Sequence, residues 1–122
     1  MAIQTKRVYE EADEKDGFRI LVDRLWPRGR SKEDAQVDVW LKSIAPSDEL
    51  RKWFDHEEEK WLEFKKRYFT ELDGNQEVVD ELLSYTDHKT ISLLFAAKDS
   101  KHNNAVALQA YIEKQLKGNT SN

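Results

Sequence analysis

Residues 90–97 read TISLLFAA and residues 18–25 read FRILVDRL. The first stretch is too short and too apolar for a surface helix. In the second, the centre Ile20-Leu21-Val22 leaves neither face polar. Short runs of this kind are strands buried between layers, the usual position of parallel strands. The two are therefore expected to lie side by side and parallel in a sheet interior. Helical periodicity fills much of the chain between and after them. The class this specifies is α/β, a small layered domain with a mainly parallel sheet flanked by helices.

Working outward, residues 3–9 can form a first strand, and residues 10–17 a charged turn closed by Asp16-Gly17. Trp26-Pro27-Arg28-Gly29 has proline and glycine where a type I turn wants them. Residues 31–35 suit a short helical turn capped by Ser31, whereas residues 38–45 are open between a short strand and an irregular segment. Ser47, followed by Asp48 and Glu49, starts a helix carrying Leu50, Trp53 and Phe54. Asp55 and Glu58 have the spacing of a capping box. The helix that follows places Trp61, Phe64, Tyr68 and Leu72 on one face, expected to be buried, and ends at Gly74. Asn75 is expected to cap a further helix to about Tyr85, with Val78, Val79, Leu82 and Leu83 inward. Asp99 or Ser100 is expected to cap the last helix, whose apolar stripe is Ala105, Leu108, Ile112 and Leu116.

The 122 residues fit one domain, taken as residues 1–117, with 118–122 as a frayed tail. Four Trp, five Phe and four Tyr supply enough large side chains for a core despite 36% charged residues. No apolar run approaches the roughly 20 residues that span a bilayer. Residues 1–14 are polar, unlike a secretory signal, so a cytoplasmic location is expected. The absence of cysteine removes disulfides, thiolate zinc sites and cysteine nucleophiles together. A net charge of −4 argues against broad electrostatic binding to nucleic acid. No helix carries a basic face with a turn before it, which makes sequence-specific DNA binding remote. The acidic runs Glu10, Glu11, Asp13, Glu14, Asp16 and Glu57, Glu58, Glu59 read as solvated surface. Against them Arg19, Arg24, Arg28, Arg30 and Lys32 form a basic cluster.

Ligands of open α/β sheets collect beyond the carboxyl ends of the strands. Two charged clusters fall there: Asp23, Arg24 and Arg28, with Arg30 close behind, and Lys98, Asp99, His102 and Asn103. If the two strands are parallel neighbours, both clusters open onto one rim. Arginine forks fit carboxylate or phosphate, and the start of the last helix adds free N–H groups. The expected site is thus a pocket for a small anionic or phosphate-bearing molecule, with Arg24, Arg28, Lys98, Asp99 and Asn103 binding. Asp23 or His102 is the candidate base if there is a reaction. The alternatives are an Arg–Asp network that merely braces two loops, and a histidine that simply faces solvent. Arg51, Trp53, Trp61, Arg67 and Tyr68 either extend the pocket or cover the core. A rival role is a non-catalytic protein-interaction domain anchored by exposed Trp26 and Trp53. HExxH, EF-hand, GxGxxG and GxxxxGK[ST] patterns are absent, so neither a dedicated metal site nor a cofactor is expected.

Four strings, LVDRLWPRG (21–29), APSDELRKWFDH (45–56), WLEFKKRYFTEL (61–72) and LLFAAKDSKHNNA (93–105), resemble in order and spacing the YeaO-like branch of a bacterial family, domain of unknown function 488. The resemblance spans roughly residues 3–116 and carries no reaction with it. A wider branch of that family has VDVR at the end of one strand and a cysteine in an LLCAE string at the end of another. This chain has Val22-Asp23-Arg24-Leu25 for the first and Phe95 at the cysteine position, so a thiol mechanism does not transfer. VDVR is also similar to the start of rhodanese domains, whose chemistry needs that nucleophile.

Overall fold

Strand β4, Thr90–Phe95, lies between β1, Ala2–Arg7, and β2, Phe18–Leu21, with the two-residue β3, Val39–Trp40, beyond β2. The computed structural model describes residues 2–120, and side chains as far as Gly118. Every pairing is parallel, and β2 and β4 run in register from Phe18 opposite Ile91 to Leu21 opposite Leu94. The side-by-side interior placement expected of the two apolar stretches therefore holds. Both strands are shorter than expected. Beyond Leu21 the Val22 N–H still reaches across to the Leu94 carbonyl at 3.1 Å before the chain turns away.

Alternation along each strand divides the side chains between two unlike faces. Ile20, Val22, Ile91, Leu93 and Phe95 enter the main core with residues of four helices: α2 (Asp48–Phe54), α3 (Trp61–Asp73), α4 (Gln76–Ser84) and α5 (Asn104–Thr120). The other face is thin. Leu21, Leu94, Val8 and Ala35, the last from the single turn α1 (Lys32–Ala35), form a small second cluster. Where no helix covers this face it is polar, which the apolar appearance of the strands does not show. Ser92 is buried, donates to the Asp16 carbonyl at 2.7 Å and receives the Gln4 amide at 2.7 Å. Arg19 is buried as well. Its guanidinium meets the Asp16 carboxylate and donates to the carbonyls of Ala35 and Gln36, while Lys6 Nζ sits 3.0 Å from Asp16. Asp16 thus leaves the solvated acidic run expected of residues 10–16 and becomes the central acceptor of the covered face.

The local signals hold in part. Ser31 and Ser47 cap α1 and α2 as expected, and the Ser47 hydroxyl and N–H also donate to Glu71 of α3. Asp55 and Glu58 form no capping box. Asp55 takes a left-handed conformation at φ 47° to end α2, and the turn at Glu58–Lys60 begins from Glu57. Phe64, Tyr68 and Leu72 are buried along α3, with the Tyr68 hydroxyl on the Ile44 carbonyl, but Trp61 is only half-buried under the Lys65 ammonium. Asn75 precedes α4 but turns its amide to the Ser43 carbonyl instead of capping. The last helix starts later than expected. Asn103 Oδ1 accepts the Val106 N–H at 3.0 Å, whereas Asp99 closes the preceding turn on the N–H groups of Lys101 and His102. Of the expected tail, residues 118–120 continue α5 and Ser121 and Asn122 lie outside the described residues.

Candidate functional site: a cleft at the carboxyl ends of the strands

The segments that leave β1, β2 and β4 diverge, and α2, α3 and the start of α5 stop short of closing over them. Between them lies a cleft of about 530 Å³. Tyr9 comes from beyond β1, residues 23–28 from beyond β2, Ala96 and Ala97 from beyond β4, and His102, Asn103 and Asn104 from the start of α5. The facing wall is Ala45, Pro46, Asp48, Arg51, Phe54 and His56, with Phe64 behind them. The two clusters expected on one rim are therefore both on it, except that Lys98 and Asp99 do not line the cleft.

Asp23 is the tie that shapes this end of the sheet. One carboxylate oxygen accepts the Ala96 N–H at 2.9 Å and the other the Asn104 amide at 3.0 Å. The same amide reaches the Val22 carbonyl, and the Asp23 carbonyl accepts the Trp40 indole N–H. Four elements are held through one residue. Burial pushes the Asp23 carboxyl above the ordinary carboxylate value, only partly offset by the two hydrogen bonds. The folded chain thus holds that proton more tightly than the unfolded one, so this residue's electrostatic contribution to stability declines as pH rises from about 4. Asp23→Ala is expected to lower stability by about 1–3 kcal/mol in denaturant melts, because the partly buried Ala96 N–H loses its acceptor and Asn104 keeps only the Val22 carbonyl. An unchanged midpoint would mean that Asp23 braces nothing.

His102 stands at the cleft edge. Its Nδ1 is 3.0 Å from Asp99 Oδ2, its Nε2 is 3.6 Å from Glu58, and its ring meets Trp61 edge-on. Asp99 is thereby a neighbour of the cleft that orients a lining residue. Its own carboxyl is lowered by the Lys101 N–H and then by His102. Asn103 is buried and spends both ends of its amide on the Asp99 carbonyl and the Val106 N–H.

The arginines differ from one another. Arg30 donates to the carbonyls of Val8 and Glu10 and braces the loop. Arg24 donates to the Pro46 carbonyl at 3.3 Å and lies 3.7 Å from Asp48, which it shares with Arg51 at 3.5 Å. Arg28 lines the cleft, and its guanidinium forms no ion pair with any described residue; only its carbonyl is engaged, by the Tyr9 hydroxyl. Trp26 is half-buried in the wall, donates to the Arg30 carbonyl and packs edge-on against Trp40. Trp53 lies between Arg67 and Lys60 and is not in the lining, so of Arg51, Trp53, Trp61, Arg67 and Tyr68 only Arg51 extends the cleft.

Sequence reading missed Phe54, Phe64, Asp48 and Asn104. The first three read as core or helix start. Nothing in the sequence marks Asn104 over Asn103 as the residue that reaches Asp23. His56 reaches the wall because it follows Asp55 into a second left-handed conformation, at φ 57°, without a glycine to signal it. Among the described residues no group of three or more metal-ligating side chains is gathered, and no helix is long and apolar enough to cross a membrane.

The chain is 42% identical over 112 residues to the uncharacterized protein YeaO of Escherichia coli (strain K12), covering 92% of this chain and 97% of that one. It is 39% identical over 106 residues to uncharacterized proteins of Mycobacterium tuberculosis (strain ATCC 25618 / H37Rv) and Mycobacterium bovis, covering 87% of this chain and 89% of each. No solved structure matches it. The sequence model of the family described as the inactive DUF488-N3 subclade matches residues 2–122 throughout, and the chain belongs to that family.

Proposed function

We propose that the protein binds a small anionic molecule in the cleft at the carboxyl ends of its strands, and that it does so without catalysing a reaction on it. The observation that carries this reading is Arg28, an exposed residue of the cleft lining whose guanidinium has no ion-pair partner among the described residues. Arg24 beside it has one hydrogen bond and one long contact to a shared carboxylate, leaving most of its donors to a ligand. Binding without chemistry is supported from three sides. Both oxygens of Asp23 already accept hydrogen bonds, the His102 ring is turned between Asp99 and Glu58, and the family is described as inactive.

Thermal shift and calorimetry against phosphates, nucleotides and carboxylates test the proposal. A ligand held at about 100 times its dissociation constant stabilises by roughly 2.7 kcal/mol through mass action. Arg24→Ala and Arg28→Ala are expected to remove that stabilisation while moving the unliganded protein by no more than about 0.5 kcal/mol, as exposed substitutions do. Strong destabilisation with an unchanged ligand response would return both arginines to a bracing role and end the proposal.

A further inference from the structure

The cleft carries more charge information than its arginines alone. Its charged lining is Arg24, Arg28 and Arg51 on one side of the account and Asp23 and Asp48 on the other. Leaving the two histidines aside, three guanidinium groups against two carboxylates give a single net positive charge. Asp48 is exposed on the rim between Arg24 and Arg51, and Asp23 sits deeper, where α5 meets the sheet. A ligand entering with two negative charges would leave one of them facing these carboxylates. A ligand with one charge balances the cleft.

The remaining polar lining residues Tyr9, His102, Asn103 and Asn104 already spend side-chain groups on hydrogen bonds within the protein, and apart from His56 the rest of the lining is apolar. Trp26, Ala97 and the exposed Leu25, backed by the buried Pro46 and by Phe54 and Phe64 stacked at 4.4 Å, offer a surface with few hydrogen-bond donors. Inorganic phosphate, heavily hydrated and needing donors on all sides, would lose more there than it gained. A flat apolar body fits such a wall, and an arginine fork at the mouth fits one planar anionic group. The volume, about 530 Å³, is that of sites taking small organic molecules.

From the charge count and the apolar lining together we infer that the ligand is a singly charged organic anion with a flat apolar body, of the arylcarboxylate class. This rests on the anion-binding reading above and narrows it.

Four probes separate the possibilities: 2-naphthoate, 2-naphthyl phosphate and the neutral 2-naphthamide, which share one aromatic body, and inorganic phosphate. Calorimetry is run on the full chain at pH 8, where the aryl phosphate carries close to two charges. The expected order is naphthoate tightest, with naphthamide and naphthyl phosphate each at least about 10-fold weaker, roughly the 1.4 kcal/mol of one hydrogen-bonded charge. Arg28→Ala is expected to bring naphthoate down to the affinity of naphthamide. If either phosphate binds more tightly than naphthoate and loses that affinity in Arg28→Ala, the inference fails while anion binding stands. If naphthamide equals naphthoate, or none of the four binds, both fail.

Discussion

Arg19→Met is expected to destabilise the protein by about 3–5 kcal/mol, the range for removing one partner of a buried ion pair. The substitution keeps most of the apolar stem but withdraws the guanidinium donors from a covered sheet face. Asp16 then loses its guanidinium partner, and the Ala35 and Gln36 carbonyls lose theirs. Lys6 remains on Asp16 and limits the damage. The same variant should change the acid limb of the stability curve. Burial pushes the Asp16 carboxyl up, but the Asp13 N–H, Lys6 and Arg19 outweigh it and hold the group below its ordinary value of 3.8. A carboxyl lowered by folding stabilises the folded state above that ordinary value, and this contribution is lost as pH falls through the folded one. Urea melts from pH 7 down to pH 2 should therefore show the wild type losing stability more steeply in acid than Arg19→Met. Parallel curves would show that the pair is not coupled to folding.

Gly17→Ala is expected to cost about 2–5 kcal/mol, combining backbone strain with a steric clash. Gly17 joins the Asp16 turn to β2 at φ 66° and ψ −133°, a region almost closed to other residues. A Cβ there would stand 2.2 Å from the Thr90 carbonyl oxygen, at the first residue of the central strand. Neither backbone can retreat without opening the start of the β2–β4 ladder. Gly29→Ala is the natural control: its φ is 73°, yet nothing lies within 4 Å of an added Cβ. That substitution should cost only about 1–2 kcal/mol, the strain of the left-handed conformation alone. Equal losses at the two glycines would mean that the contact with Thr90 is unimportant.

How far sequence reading carried depended on whether the deciding contact was local. Residues 18–25 and 90–97 declared themselves as buried parallel strands because apolarity on both faces survives any choice of neighbour. Ser31 and Ser47 declared their helices because a cap bonds three residues away. Arg19 and Ser92 did not declare their burial, since what buries them is a turn from residues 13–16 and a short helix at 32–35. Asp55 carried the spacing of a cap but was needed to end α2, where no glycine was available to do so. At the cleft, the placement of Asp23, Arg24 and Arg28 followed from strand direction, whereas the facing wall of Pro46, Asp48 and Phe54 depends on how α2 docks. Lys98 fell outside the lining because the chain leaves β4 through Ala96 and Ala97 before the charged residues begin.

The strand order also dictates when the molecule can assemble. β1 pairs only with β4, so Gln4 waits for Ser92, 88 residues later. β2 has its principal partner in β4 as well, and the only earlier pairing, with β3, spans two residue pairs. A chain emerging from the ribosome therefore holds its first strand and most of its aromatic residues without a sheet until residue 95 is free. Loop closures of this length must precede the contacts that reward them, which makes refolding slow for a domain of this size. During that interval TISLLFAA carries the last strand to arrive, the one that both β1 and β2 require. Until that strand slots into place β1 and β2 lack their shared neighbour, and their apolar residues stay open to misassociation.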